Sequence, residues 1–105
     1  MLIVIARAEA DPADVSALRG ALQDMMRATW EESGCISYSL SIETEGGPGE
    51  PAVISICERW ADVDALKAHF HTPHMAAFNA MIAGRIRNLD ARLYRVAEEL
   101  PFPRP

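Results

Sequence analysis

No apolar run in this 105-residue chain approaches the roughly 18 residues that a membrane-crossing helix requires. The opening Met1-Leu2-Ile3-Val4-Ile5-Ala6 is apolar but short, and it lacks the basic start of a secretory leader. A soluble, cytoplasmic protein with no membrane partner is therefore expected. Basic residues are also scarce, 10 against 15 acidic for a formal net charge of −5, and no lysine-rich or arginine-rich run gathers them. That balance weighs against nucleic acid as a partner, because phosphate neutralisation needs a concentrated basic patch. Cysteine appears only as Cys35 and Cys57. Neither their spacing nor a leader supports a disulfide, so buried, reduced thiols are expected. There is no C-x-x-C pair, no phosphate-cradling glycine loop, no G-x-G-x-x-G fingerprint and no G-x-S-x-G elbow, which leaves nucleotide cofactors without support.

What is present fits one compact domain, placed at residues 1–97, followed by a proline-rich tail over 98–105; half of the residues are apolar. Leu2 to Ala8 is rich in β-formers. Asp11-Pro12 then suits a helix start, with Asp11 as N-cap and Pro12 in the first turn. Val15, Leu18, Leu22, Met25 and Thr29 recur at three and four, one stripe of a helix that faces a core, and Gly34 supplies the left-handed stop. Cys35 to Glu43 alternates, with Ile36, Tyr38, Leu40 and Ile42 on one side and serines on the other. Residues 43–51 concentrate glycine, proline and charge and read as a long, mobile hairpin loop leading to a third strand over 52–60. Short helices are predicted at about 62–70 and 73–83, with Asp62 and Thr72 as N-caps, and a final strand over 91–96. The order β-α-β-β-α-β predicts an α+β, ferredoxin-like fold: an antiparallel four-stranded sheet with helices on one face.

The chemistry is concentrated after residue 53. Period two places Ile54, Ile56, Glu58 and Trp60 on one face of the third strand, so a carboxylate shares an apolar face with an indole. A buried carboxylate demands a partner, and His69 and His74 arrive soon after as candidates. His69, His71 and His74 also invite a metal reading. Positions 69 and 71 diverge by roughly 200° on a helix, and no cysteine or carboxylate lies at ligand spacing within the cluster, so no metal is expected. Tyr38, Trp60 and Phe78 would add aromatic surface and a hydroxyl, completing a cleft of apolar walls and few polar groups.

Glu58-Arg59-Trp60, His69, Thr72-Pro73-His74 and Gly34-Cys35-Ile36-Ser37-Tyr38 together resemble the antibiotic biosynthesis monooxygenase family over roughly residues 1–97. The resemblance implies a homodimer that pairs the open sheet faces. It also implies cofactor-independent oxygenation of a small aromatic phenol, anthrone or quinol, with O2 as co-substrate. On that reading His69 handles the proton with Glu58 orienting it, Trp60 and Phe78 pack the ring, and His74 or Tyr38 donates a hydrogen bond. Family members that degrade haem use a first-strand asparagine, whereas this strand reads Ile5-Ala6-Arg7. A non-redox isomerase or tautomerase using the same groups, and a non-catalytic dimeric small-molecule-binding module, are the alternatives.

Overall fold

Period two on the first strand turns its even-numbered, apolar residues inward. In the computed structural model, which describes residues 1–105, β1 runs from Leu2 to Ala10 and turns Leu2, Ala6, Ala8 and Ala10 into the core. A short 3-10 turn at Pro12–Asp14 follows, capped by the Asp11 carboxylate accepting from the Ala13 N–H at 2.9 Å. It leads into α1, Val15–Trp30, whose buried residues are the expected five: Val15, Leu18, Leu22, Met25 and Thr29. After β2 (Cys35–Thr44) and β3 (Ala52–Trp60) come α2 (Val63–His69), α3 (Pro73–Ile82) and β4 (Ile86–Arg95). The sheet order is β2-β3-β1-β4, and every neighbouring pair is antiparallel. This is the split β-α-β arrangement read from the element order. No helix is long and apolar enough to cross a membrane.

Four local expectations need correction. β4 begins at Ile86, five residues before the predicted start, because its polar Arg87, Asn88 and Asp90 hide a stretch that nonetheless pairs with β1. The pairing slips between Arg7 and Glu9, near Asn88, which adopts φ 54°. At the start of β2 a similar slip between Cys35 and Ser37 leaves Ile36 exposed instead of inward-facing. Cys57 is exposed on the face away from the helices, while Cys35 is half-buried against the core; both thiols are free. The loop after β2 also carries its own structure, a turn closed by reciprocal Gly47–Glu50 backbone hydrogen bonds of 2.9 and 3.1 Å.

Candidate functional site

Two helix ends and one turn converge on the Trp60 end of β3. His69 is the last residue of α2, a helix capped by the Asp62 carboxylate accepting from the Ala65 N–H at 2.8 Å. Thr72 then ties α2 to α3. Its hydroxyl donates to the His69 carbonyl at 2.8 Å and accepts from the Met75 N–H at 3.2 Å, so one side chain closes one helix and caps the next. Pro73 occupies the first turn, where its missing N–H costs nothing, and His74 follows directly. The third arrival is the turn after α1. Gly34 there adopts φ +84°, and a Cβ on it would sit 2.5 Å from the Ala65 Cβ. Absence of a side chain lets this turn lie directly against α2.

That close approach delivers Glu32 to the two imidazoles. Its Oε2 lies 2.7 Å from His69 Nδ1 and 2.7 Å from His74 Nε2. A carboxylate oxygen accepts, so both nitrogens carry the hydrogen; in the neutral imidazole of His69 the lone pair is then on the other nitrogen, Nε2. The His69 side chain is only 2% exposed, that of Glu32 12% and that of His74 24%. Beneath His69 lies Trp60, with ring centroids 4.8 Å apart; the Tyr38 ring approaches it edge-on at 5.2 Å. Trp60 Nε1 donates to Glu58 Oε1 at 2.8 Å, and Glu58 is paired across the strands with Tyr38.

Electrostatics in this corner follow from burial. Loss of water pushes the Glu58 carboxyl above the ordinary carboxylate range, partly offset by the Trp60 N–H bond and by His69. The Tyr38 phenol is pushed well up, first by burial and then by the charges of Glu58 and Glu32. Tyr38 is therefore held as a hydroxyl, able to donate a hydrogen bond. The same desolvation, with Glu32 and Glu58 adding to it, raises the Cys35 thiol.

A cavity of about 170 Å³ opens between the sheet and α3, and Tyr38, Glu58, His69 and Phe78 all line it. Its walls are otherwise apolar, among them Leu22, Leu40, Ile54, Ile56 and Met75, while Asn79 adds an amide and the half-exposed Phe70 and Leu89 form the rim. Trp60, expected to pack a bound ring, is fully buried and does not line the cavity; it forms the floor under His69. His74 does not line it either. It faces an adjoining groove of about 250 Å³ with Ala77, Phe78 and Met81. His71 is exposed and takes no part.

Glu58, expected to orient an imidazole, has Trp60 as its hydrogen-bond partner instead. The orienting carboxylate is Glu32, which sequence reasoning passed over. One signal was available: Glu31 and Glu32 sit at the C-terminus of α1, where the helix dipole disfavours negative charge. An acid placed there calls for a compensating partner, and here there are two.

Residues 1–81 match the sequence model of the family described as antibiotic biosynthesis monooxygenase. The chain belongs to that family. Rv0793 of Mycobacterium tuberculosis is 35% identical over 79 residues, 75% of this chain and 73% of Rv0793. The solved structure of Rv0793 superposes with a TM-score of 0.77 over 95% of this chain and 98% of that one, at 30% identity. A protein of Escherichia coli, named "Probable quinol monooxygenase YgiN", is 28% identical over 67 residues. That match spans 60% of this chain and 64% of YgiN. A structure from Deinococcus radiodurans shares the fold with a TM-score of 0.82 at 22% identity, covering 98% of this chain and 99% of that one.

Proposed function

We propose that this protein is a cofactor-independent monooxygenase that inserts an oxygen atom from O2 into a small electron-rich phenol or quinol. The observation that carries the reading is the His69–Glu32 pair at the wall of an apolar cavity. A carboxylate holding Nδ1–H fixes the tautomer in which Nε2 is a base, the arrangement used wherever an imidazole must take a proton from a weak acid. Family membership and the name of the E. coli relative support the oxygen chemistry.

In this reading the phenolic proton passes to His69 Nε2, and the resulting phenolate is electron-rich enough to reduce O2. Oxygen then adds to a ring carbon as a peroxide; loss of that carbon's proton breaks the O–O bond, so one atom stays on the carbon as a carbonyl and the other takes up protons and leaves as water, the ring giving up four electrons and ending at the quinone level. The ring itself supplies the electrons, so no flavin or metal is required. Apolar walls keep bulk water from the reduced oxygen species, and the Tyr38 hydroxyl donates to the developing enolate oxygen. His69, Glu32 and Tyr38 are the residues to which we assign chemistry, with Phe78 packing the ring and Glu58 as a second acceptor. A volume of about 170 Å³ is below the roughly 300 Å³ at which drug-sized pockets begin, which favours one or two fused rings over a polycyclic anthrone. We further propose that two copies pair through the sheet face left bare by the helices, where Ile5 and Ile36 are about half exposed.

The test is O2 uptake by metal-stripped protein with one-ring and two-ring hydroquinones and with anthrones, against the autoxidation background. Uptake that His69→Ala abolishes is expected. No uptake above background with any of them would refute the reading.

A further inference from the structure

Three potential metal ligands meet at the same corner: Glu32 Oε2, His69 and His74 offer donor atoms that all lie within 4.8 Å of one another. We propose that this triad is a binding site for a divalent first-row transition ion of the Zn2+ type. Two imidazoles and one carboxylate form a donor set that zinc accepts in open, three-ligand sites, with a further position left for water. The ligands come from three separate elements, the turn after α1, the end of α2 and the start of α3, so the fold and not a local run of sequence brings them together. Consecutive histidine spacing hides the site, because exposed His71 is not a member and the carboxylate comes from 37 residues earlier.

Coordination would need side-chain movement at the triad. Tetrahedral coordination at about 2.0–2.2 Å sets neighbouring donor atoms roughly 3.3 Å apart. The present N–H···O contacts of 2.7 Å would each open by about half an ångström, and the two imidazole nitrogens, which lie within 4.8 Å of one another, would close toward the same spacing. Side chains of Glu32 and His74 retain some exposure, 12% and 24%, which gives both room to move and the ion a way in. His69 provides the rigid wall, buried against Trp60 and Tyr38.

Coordination has a consequence for the proton. In the ion-free arrangement His69 carries its hydrogen on Nδ1 and bonds Glu32. An ion bound at Nδ1 takes that lone pair, and the hydrogen moves to Nε2 with no net proton released. The nitrogen assigned above as the base then becomes a donor. This second step rests on the oxygenase reading above, whereas the binding itself does not.

The experiment is a calorimetric titration of the full-length metal-free protein with Zn2+, accompanied by the visible spectrum of the Co2+ form. One Zn2+ per chain is expected, together with Co2+ absorption bands of a low-symmetry nitrogen–oxygen site. Glu32→Gln and His74→Ala should each weaken binding by at least about tenfold, and His71→Ala should leave it unchanged. Absence of binding at millimolar Zn2+, or binding that both ligand variants retain, would overturn the site. In protein that consumes O2, equimolar Zn2+ should suppress uptake, with restoration by a chelator; full uptake with the site loaded would overturn the proton switch while leaving the binding result intact.

Discussion

Glu32 Oε2 stands 2.7 Å from His69 Nδ1 across 37 residues of sequence, and the same oxygen takes the His74 ring. Removing the carboxylate should act on stability and on turnover separately. Glu32→Ala leaves a buried Nδ1–H without an acceptor, a loss of about 1–3 kcal/mol, to be read from urea unfolding. Glu32→Gln keeps an acceptor of the same shape and should lose less. Glu32→Ala should lower kcat by roughly 10- to 100-fold, because the tautomer is no longer enforced, and Glu32→Gln, whose amide oxygen can still accept from Nδ1–H, should lower it less. Retention of full kcat in both would show that His69 needs no orienter.

Glu58 makes stability depend on pH in a direction opposite to a salt-bridged acid. Its folded-state value lies above the ordinary carboxylate range because burial disfavours the charge. Between its unfolded value, about 4.3, and its folded value, the native state binds more protons than the unfolded chain, so stability falls as pH rises. The contribution is complete below the unfolded value and is lost as pH climbs through the folded one. Glu58→Gln keeps an oxygen for the Trp60 N–H and cannot ionise. Urea titrations at a series of pH values should therefore show the variant gaining on the wild type as pH rises from 4 to neutrality. A constant difference across that range would mean that Glu58 is not desolvated.

Cavity access gives a kinetic prediction. Leu89 lines the cavity yet is 60% exposed, which makes it a rim residue and not part of the core. Leu89→Trp should narrow the entrance and raise KM for a two-ring quinol by about tenfold or more, with the melting temperature nearly unchanged because surface substitutions seldom cost more than about 0.5 kcal/mol. An unaltered KM would place the entrance elsewhere.

Much of this fold was legible in the chain because its signals are local. The Val15-Leu18-Leu22-Met25-Thr29 stripe, the Asp11, Asp62 and Thr72 caps and the strand of Ile54, Ile56, Glu58 and Trp60 each declare themselves within a few residues. β4 did not, since Arg87, Asn88 and Asp90 carry no apolar period; only pairing with β1 makes that stretch a strand. Ile36 misled for a related reason: a register slip reverses a side chain without altering the alternation in the sequence. At the site, Tyr38, Glu58, His69 and Phe78 line one cavity while Trp60 and His74, expected beside them, do not, and Glu32 went unread because its contacts depend on how the α1 turn seats on α2.

That seating makes Gly34 sensitive to any substitution. Any side chain there meets two penalties. The left-handed φ of +84° costs an L-residue roughly 1–2 kcal/mol. Overlap with Ala65 at 2.5 Å from Cβ to Cβ adds an overpacking term of about 1–3 kcal/mol. Gly34→Ala should therefore lose about 2–5 kcal/mol in urea unfolding. The double variant Gly34→Ala with Ala65→Gly should recover the steric part and leave the backbone part. Because the strain pushes the turn away from α2, the single variant should also loosen the Glu32–His69 contact, and the double variant should restore turnover further than it restores stability. If Ala65→Gly rescues neither quantity, contact between the turn and α2 is not what places the carboxylate.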